Sequence, residues 1–171
     1  MFKIQSDYNH IIIGDAVEIG NKVPGITLVD TDLKQVNLAE AVKGKKTVLA
    51  FFPGAFTSVC TKEMCTFRDD MSKLESLRAN AIGISVDGPF SNKAFKEHNK
   101  LNFTLLSDFD RNAVKAFGIE LKDFAGLRGY TAAKRSVFVA DAGGTIRYMW
   151  VSDDPRVEPN YDEVRAALAK I

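Results

Sequence analysis

Apolar and polar positions follow two rhythms along this chain. Short continuous apolar runs at Thr47–Phe52 and Ala81–Val86 read as strands buried on both faces. Between them, from Cys60 onward, Met64, Phe67, Met71, Leu74 and Leu77 recur at steps of three or four, which is one face of a helix. Ser91–Lys100 reads as a second helix with Ser91 as its N-cap, Phe103–Leu106 as a third short strand and Asn112–Phe117 as a short helix. A loop punctuated by Gly118, Gly126 and Gly129 follows. Arg135–Ala140 and Thr145–Val151 read as strands joined by Asp141-Ala142-Gly143-Gly144, a hairpin signal. Asn160–Lys170 closes the pattern as an amphipathic helix.

This succession predicts an α/β fold in which a central mixed sheet is covered by helices on both faces, and a thioredoxin-like architecture meets that description. Residues 1–20 read as an N-terminal extension and candidate edge strand, and residues 21–171 as one domain. The length of 171 residues and 46% hydrophobic content suit a single substantial core. A formal net charge of +1 gives no support to nucleic-acid or anionic-membrane binding. No apolar run approaches a membrane span, and the first residues lack the layout of a signal peptide, so the expected location is cytoplasmic.

Two cysteines cannot staple a secreted domain of this size, and in a reducing compartment such a pair is catalytic or metal-binding. Two Cys with the scattered His10 and His98 do not make a zinc pattern, so no metal or other cofactor is expected. Cys60 falls just past a strand, in the first turn of a helix, where free N–H groups and the helix dipole favour an anion. The thiolate is the reactive form of cysteine. Thr57 lies one turn earlier, within hydrogen-bonding reach, and Pro53 can rigidify and shield the loop. Cutting an O–O bond needs such a thiolate, donors aimed at both oxygens, and a cation.

Pro53-x-x-x-Thr57-x-x-Cys60, between a strand and a helix, resembles the active-site signature of the peroxiredoxins. The resemblance extends over Lys45–Pro53, Ala81–Asp87, Leu105–Asp108 and Arg135–Asp141. It implies a peroxidatic Cys60 that reduces hydrogen peroxide and organic hydroperoxides, with Thr57 and an arginine as donors. The arginine maps to Arg135, with Lys134 as the neighbouring competitor. Cys60–Asp69 is most similar to the peroxiredoxin Q, or bacterioferritin comigratory protein, group, with features of the one-cysteine AhpE-like group. In the first group a resolving cysteine commonly lies five residues on, at the place of Cys65, and a thioredoxin- or glutaredoxin-like protein recycles the disulfide. Members of the two groups are monomers or homodimers.

Five residues of intact helix separate Cα atoms by roughly 8.6 Å, beyond the ~7 Å limit for a disulfide. A Cys60–Cys65 bond therefore requires the first turns to unwind. Cys65 has a second reading, a buried structural thiol. Glu63 reads either as support for Arg135 or Arg68, or as a solvated helix-start acid. Arg128 reads as a surface arginine or as a contact to substrate or a partner subunit, and His98 as a surface residue or one satisfied by a local hydrogen bond. Phe51, Phe52 and Phe56 would suit an apolar hydroperoxide or simply fill the core. Competing functions are a one-cysteine peroxidase using an external thiol, a thiol–disulfide oxidoreductase, and a zinc-binding or holdase module.

Overall fold

The computed structural model describes residues 16–171. Its strands are β1 (Thr27–Asp30), β2 (Gln35–Asn37), β3 (Lys46–Phe51), β4 (Ala79–Ser85), β5 (Thr104–Ser107), β6 (Glu120–Leu121), β7 (Ala132–Ala133), β8 (Ser136–Ala140) and β9 (Ile146–Val151). Its helices are α1 (Leu38–Ala41), α2 (Ser58–Ser76), α3 (Pro89–His98), α4 (Asn112–Ala116) and α5 (Tyr161–Ala169). Seven strands form one mixed sheet in the order β2-β1-β5-β4-β3-β8-β9. The central strands β3, β4 and β5 are parallel, and β8 joins β3 antiparallel. β6 and β7 make a separate small hairpin.

The buried runs explain the layering. Alternate residues of β3 point to opposite faces of the sheet. Leu49 and Phe51 enter a core with Leu38, Val42, Val114, Phe117 and Phe138. Val48, Ala50 and Phe52 enter another with Met64, Phe67, Leu74, Phe95 and Leu168. Both faces are thus covered, as the apolar runs predict. Gly83 in β4 sets how closely α2 can lie, since a Cβ there would meet Leu105 Cδ2 at 2.5 Å and Met64 Sδ at 3.2 Å.

Several boundaries differ from the sequence reading for identifiable reasons. α3 starts at Pro89 with Gly88 as N-cap, not at Ser91, because proline's fixed φ and missing N–H suit the first helical position. α4 is capped from a distance: the buried Asp108 accepts the N–H groups of Ala113 and Val114, each at 2.9 Å. β1, β2, α1 and the β6–β7 hairpin fall where no element was expected. Most of the expected extension, including His10, lies outside the described residues. Val17 and Val23, on either side of the expected boundary at residue 20, both enter the core. Gly20 N–H donates to Ile146 O, so the chain there runs beside the start of β9.

Candidate active site

β3 delivers the chain to Pro53, and five residues later α2 begins. The turn is tight enough to hold Phe56 at φ +64°, a left-handed conformation that a bulky residue rarely adopts. Thr57 is the N-cap of α2, and its side chain makes no capping hydrogen bond to the first turn. The N–H groups around Cys60 are therefore open to an anion. Cys60 itself is buried, and both cysteines are free thiols.

Arg135, the residue immediately before β8, reaches the same point from the strand next to β3. Its Nη2 donates to Cys60 Sγ at 3.2 Å. Nη1 donates to Glu63 Oε2. Nε and Nη2 both donate to Pro155 O, at 3.0 and 2.7 Å. The fork is thus fixed on three sides, although the Arg135 side chain is only 1% exposed and that of Glu63 is 0% exposed. Burial works against the Arg135 charge, but Glu63 and Cys60 more than offset it and its pKa is raised. Burial pushes the Glu63 carboxyl up to about 7 against the pull of Arg135. Glu63 Oε1 has no hydrogen-bond partner among the described residues, which leaves the carboxylate half-satisfied.

The remaining expected residues divide. Pro53 is buried in the loop beneath the site. Thr57 Oγ1 donates to Gly54 O at 2.9 Å, within its own loop, rather than to Cys60. Cys65 lies on the same unbroken helix, half-buried, with its Sγ 3.8 Å from Asn99 Oδ1 at the end of α3. Lys134 pairs with Asp153 at 2.6 Å, which separates it from the arginine's role. Arg128 is exposed. His98 is also exposed, with its ring 5.8 Å from that of Phe56. Phe51 and Phe52 are core residues, while Phe56 is 54% exposed.

Sequence reasoning missed three partners. Pro155 acts through a backbone carbonyl, which has no side-chain signature. Asp87 accepts the Ala55 N–H at 2.9 Å. The Phe124–Tyr130 pair, with ring centroids 5.6 Å apart, belongs to the β6–β7 loop, and Phe124 lies over Gly54. Burial, then the charge of Asp87, raises the Tyr130 pKa, so its hydroxyl remains a donor beside the site.

Comparison with known proteins agrees with this fold. A family model described as AhpC/TSA family matches residues 19–149. The chloroplastic peroxiredoxin Q of Suaeda salsa is 40% identical over 155 residues, spanning 91% of this chain and 69% of its own length. Against that of Oryza sativa subsp. japonica this chain spans 62% of the relative's length. Peroxiredoxin Bcp of Escherichia coli is 36% identical over 149 residues, 86% of this chain and 93% of its own. The crystal structure of peroxidoxin BcpB from Mycobacterium tuberculosis superimposes with a TM-score of 0.76 at 30% identity, over 90% of this chain and 97% of that one. Among the described residues no helix is long and apolar enough to cross a membrane. A strand-to-helix turn that presents a buried thiol to an arginine, in a sheet shared with these relatives, marks the chain as a member of the AhpC/TSA family, a peroxiredoxin with thiol-dependent peroxidase chemistry.

Proposed function

We propose that Cys60 is the peroxidatic residue and that Cys65 resolves its oxidised form. The Arg135 Nη2 contact to Cys60 Sγ, made in a buried site, is the observation that carries this reading. The Cys60 thiolate attacks one peroxide oxygen, the S–O bond forms and the O–O bond breaks. The leaving oxygen departs with the electron pair and takes up a proton as water or alcohol, leaving a sulfenic acid. Arg135 and the open N–H groups of α2 offset the charge as it moves from sulfur to the leaving oxygen. The Thr57 hydroxyl, turned from Gly54 O, is the second donor to the peroxide.

Cys65 then displaces the sulfenic oxygen as water and forms a disulfide with Cys60. Both residues lie on α2, so this step requires its first turns to unwind. A dithiol protein of the thioredoxin or glutaredoxin type restores both thiols by exchange. The test is intact mass after one equivalent of hydrogen peroxide on the reduced protein, beside Cys60→Ser and Cys65→Ser. Loss of two hydrogens, abolished in both variants, is expected. Gain of one oxygen on Cys60 with no disulfide would replace Cys65 with an external thiol. No change at Cys60 would overturn the peroxidase role of this residue.

A further inference from the structure

The loop that presents Thr57 and Cys60 is not held by its own contacts alone. Phe56, at its centre, has a left-handed backbone, a conformation that persists only when its surroundings over-determine it. The β4–α3 corner supplies those surroundings. Asp87 Oδ2 accepts the Ala55 N–H, one residue before Phe56, at 2.9 Å. The Phe56 ring rests on Phe95 of α3, with centroids 5.2 Å apart. Asp87 is itself fixed: Ser85 Oγ donates to the same Oδ2 at 2.8 Å, and Ser107 Oγ donates to its backbone carbonyl. Ser85 and Ser107 end the adjacent parallel strands β4 and β5, so the carboxylate is tied to the rigid sheet while it grips a loop.

Resting on the peroxidase reading of Cys60, we propose that Asp87 is a positioning residue, whose carboxylate oxygen holds the Pro53–Thr57 loop, through the Ala55 N–H, in the geometry from which Cys60 attacks peroxide. The loop must release when α2 unwinds and must return afterwards. A single acceptor on a side chain anchored to the sheet gives it one place to return to. Asp87 touches no reacting atom, so its effect falls on the rate of Cys60 oxidation through the placing of Thr57 and the start of α2.

The experiment compares the wild-type protein with Asp87→Ala and Asp87→Asn, reading the second-order rate of Cys60 oxidation by hydrogen peroxide and the exchange rate of the Ala55 amide. Asp87→Ala is expected to slow oxidation by about tenfold or more, since small misplacements of reacting groups cost up to about a hundredfold, and to expose the Ala55 amide. Asp87→Asn keeps an acceptor oxygen and is expected to stay within about threefold of wild type. An unchanged rate in Asp87→Ala, or an equal loss in both variants, would overturn the role assigned to the acceptor. If Asp87→Ala fails to fold, the wild-type amide still decides: Ala55 exchanging as an open loop residue would overturn the proposal. Oxidation at a site other than Cys60 in the wild type would instead remove the peroxidase reading on which it rests.

Discussion

On the β8 side of Cys60 lie Arg135, Glu63 and the Pro155 carbonyl; on the α3 side lie Asp87, Phe95, His98 and Asn99. The first region is a buried charge cluster, in which removing one partner strands another in a low-dielectric interior. The second is a row of separate contacts to the active-site loop and to the second turn of α2: a carboxylate hydrogen bond, two ring contacts and one thiol contact. Unwinding α2 as far as Cys65 must also carry Glu63, three residues beyond Cys60, away from Arg135. If Cys65 resolves Cys60, the β8 side therefore sets the main cost of disulfide formation, and the Asn99 contact to Cys65 adjusts it in a smaller step.

Breaking the β8 side gives the largest expected effect. Arg135→Met removes the donor on Cys60 and leaves Glu63 buried without its cation. Cys60 oxidation is expected to fall by about a hundredfold or more, as for other lost charge-stabilising donors, and stability by about 3–5 kcal/mol. Stopped-flow oxidation and urea unfolding read the two losses separately. A rate loss with unchanged stability would mean that Glu63 finds another partner.

Gly83→Ala tests the packing that both regions share. The new Cβ would press on Leu105 and Met64 beneath α2, so stability is expected to fall by about 1–3 kcal/mol. The Cys60–Arg135 contact does not pass through Gly83, and the oxidation rate of the folded fraction should hold. Thermal or urea unfolding beside stopped-flow oxidation checks both halves.

Glu63 sharpens the comparison through pH. Its carboxyl is pushed up to about 7 in the folded protein from an ordinary value of 4.5. Between those two values the folded state binds a proton that the unfolded chain has released. The contribution of Glu63 to stability is therefore greatest at the acid end of that window and falls as pH rises through it. Asp108, pushed to about 6 by burial against the pull of its two N–H donors, acts in the same direction. The midpoint of thermal unfolding is expected to decline from pH 5 to 7.5 in the wild type and to decline less in Glu63→Gln, the difference isolating Glu63. Parallel slopes would show that Arg135 keeps Glu63 ionised throughout.

The contrast between the two regions also explains what the sequence made legible. β3, the turn after it and α2 could be read because an apolar run, a proline and a helical stripe are local signals, and Pro53, Thr57 and Cys60 lie within eight consecutive residues. Arg135 was reached through resemblance, since nothing local ties it to a residue in α2. The α3 side was not legible. Ala55 and Asp87 meet through a backbone N–H, and Asn99 meets Cys65 only because α3 ends where α2 begins its second turn. The short β1 and β2 carry too few apolar residues to show a period, and Asp108 caps a helix from outside its own first turn. Thr57 differs in kind: its place was legible, but the direction of its hydroxyl depends on which acceptor is free.

Asn99→Ala is the smallest of these perturbations and the one most specific to the α3 side. The Asn99 side chain is oriented by its Nδ2 bond to Phe95 O at 3.0 Å, which turns Oδ1 toward the Cys65 thiol. Its backbone carbonyl separately accepts Arg68 Nη1 at 2.6 Å and survives the substitution. The Nδ2 bond to Phe95 O at the end of α3 and the hold on Cys65 are both lost, and the second is a change within about 1 kcal/mol, or about two- to fivefold in a rate. If Cys65 resolves Cys60, disulfide formation after sulfenic acid should quicken by that factor, while the first oxidation step, in which Asn99 touches no group, stays unchanged. Rapid-quench mass spectrometry resolves the two steps. A slower disulfide step would mean that Asn99 guides Cys65 toward Cys60 rather than restraining it, and the α3 side would then assist the unwinding it is expected to oppose.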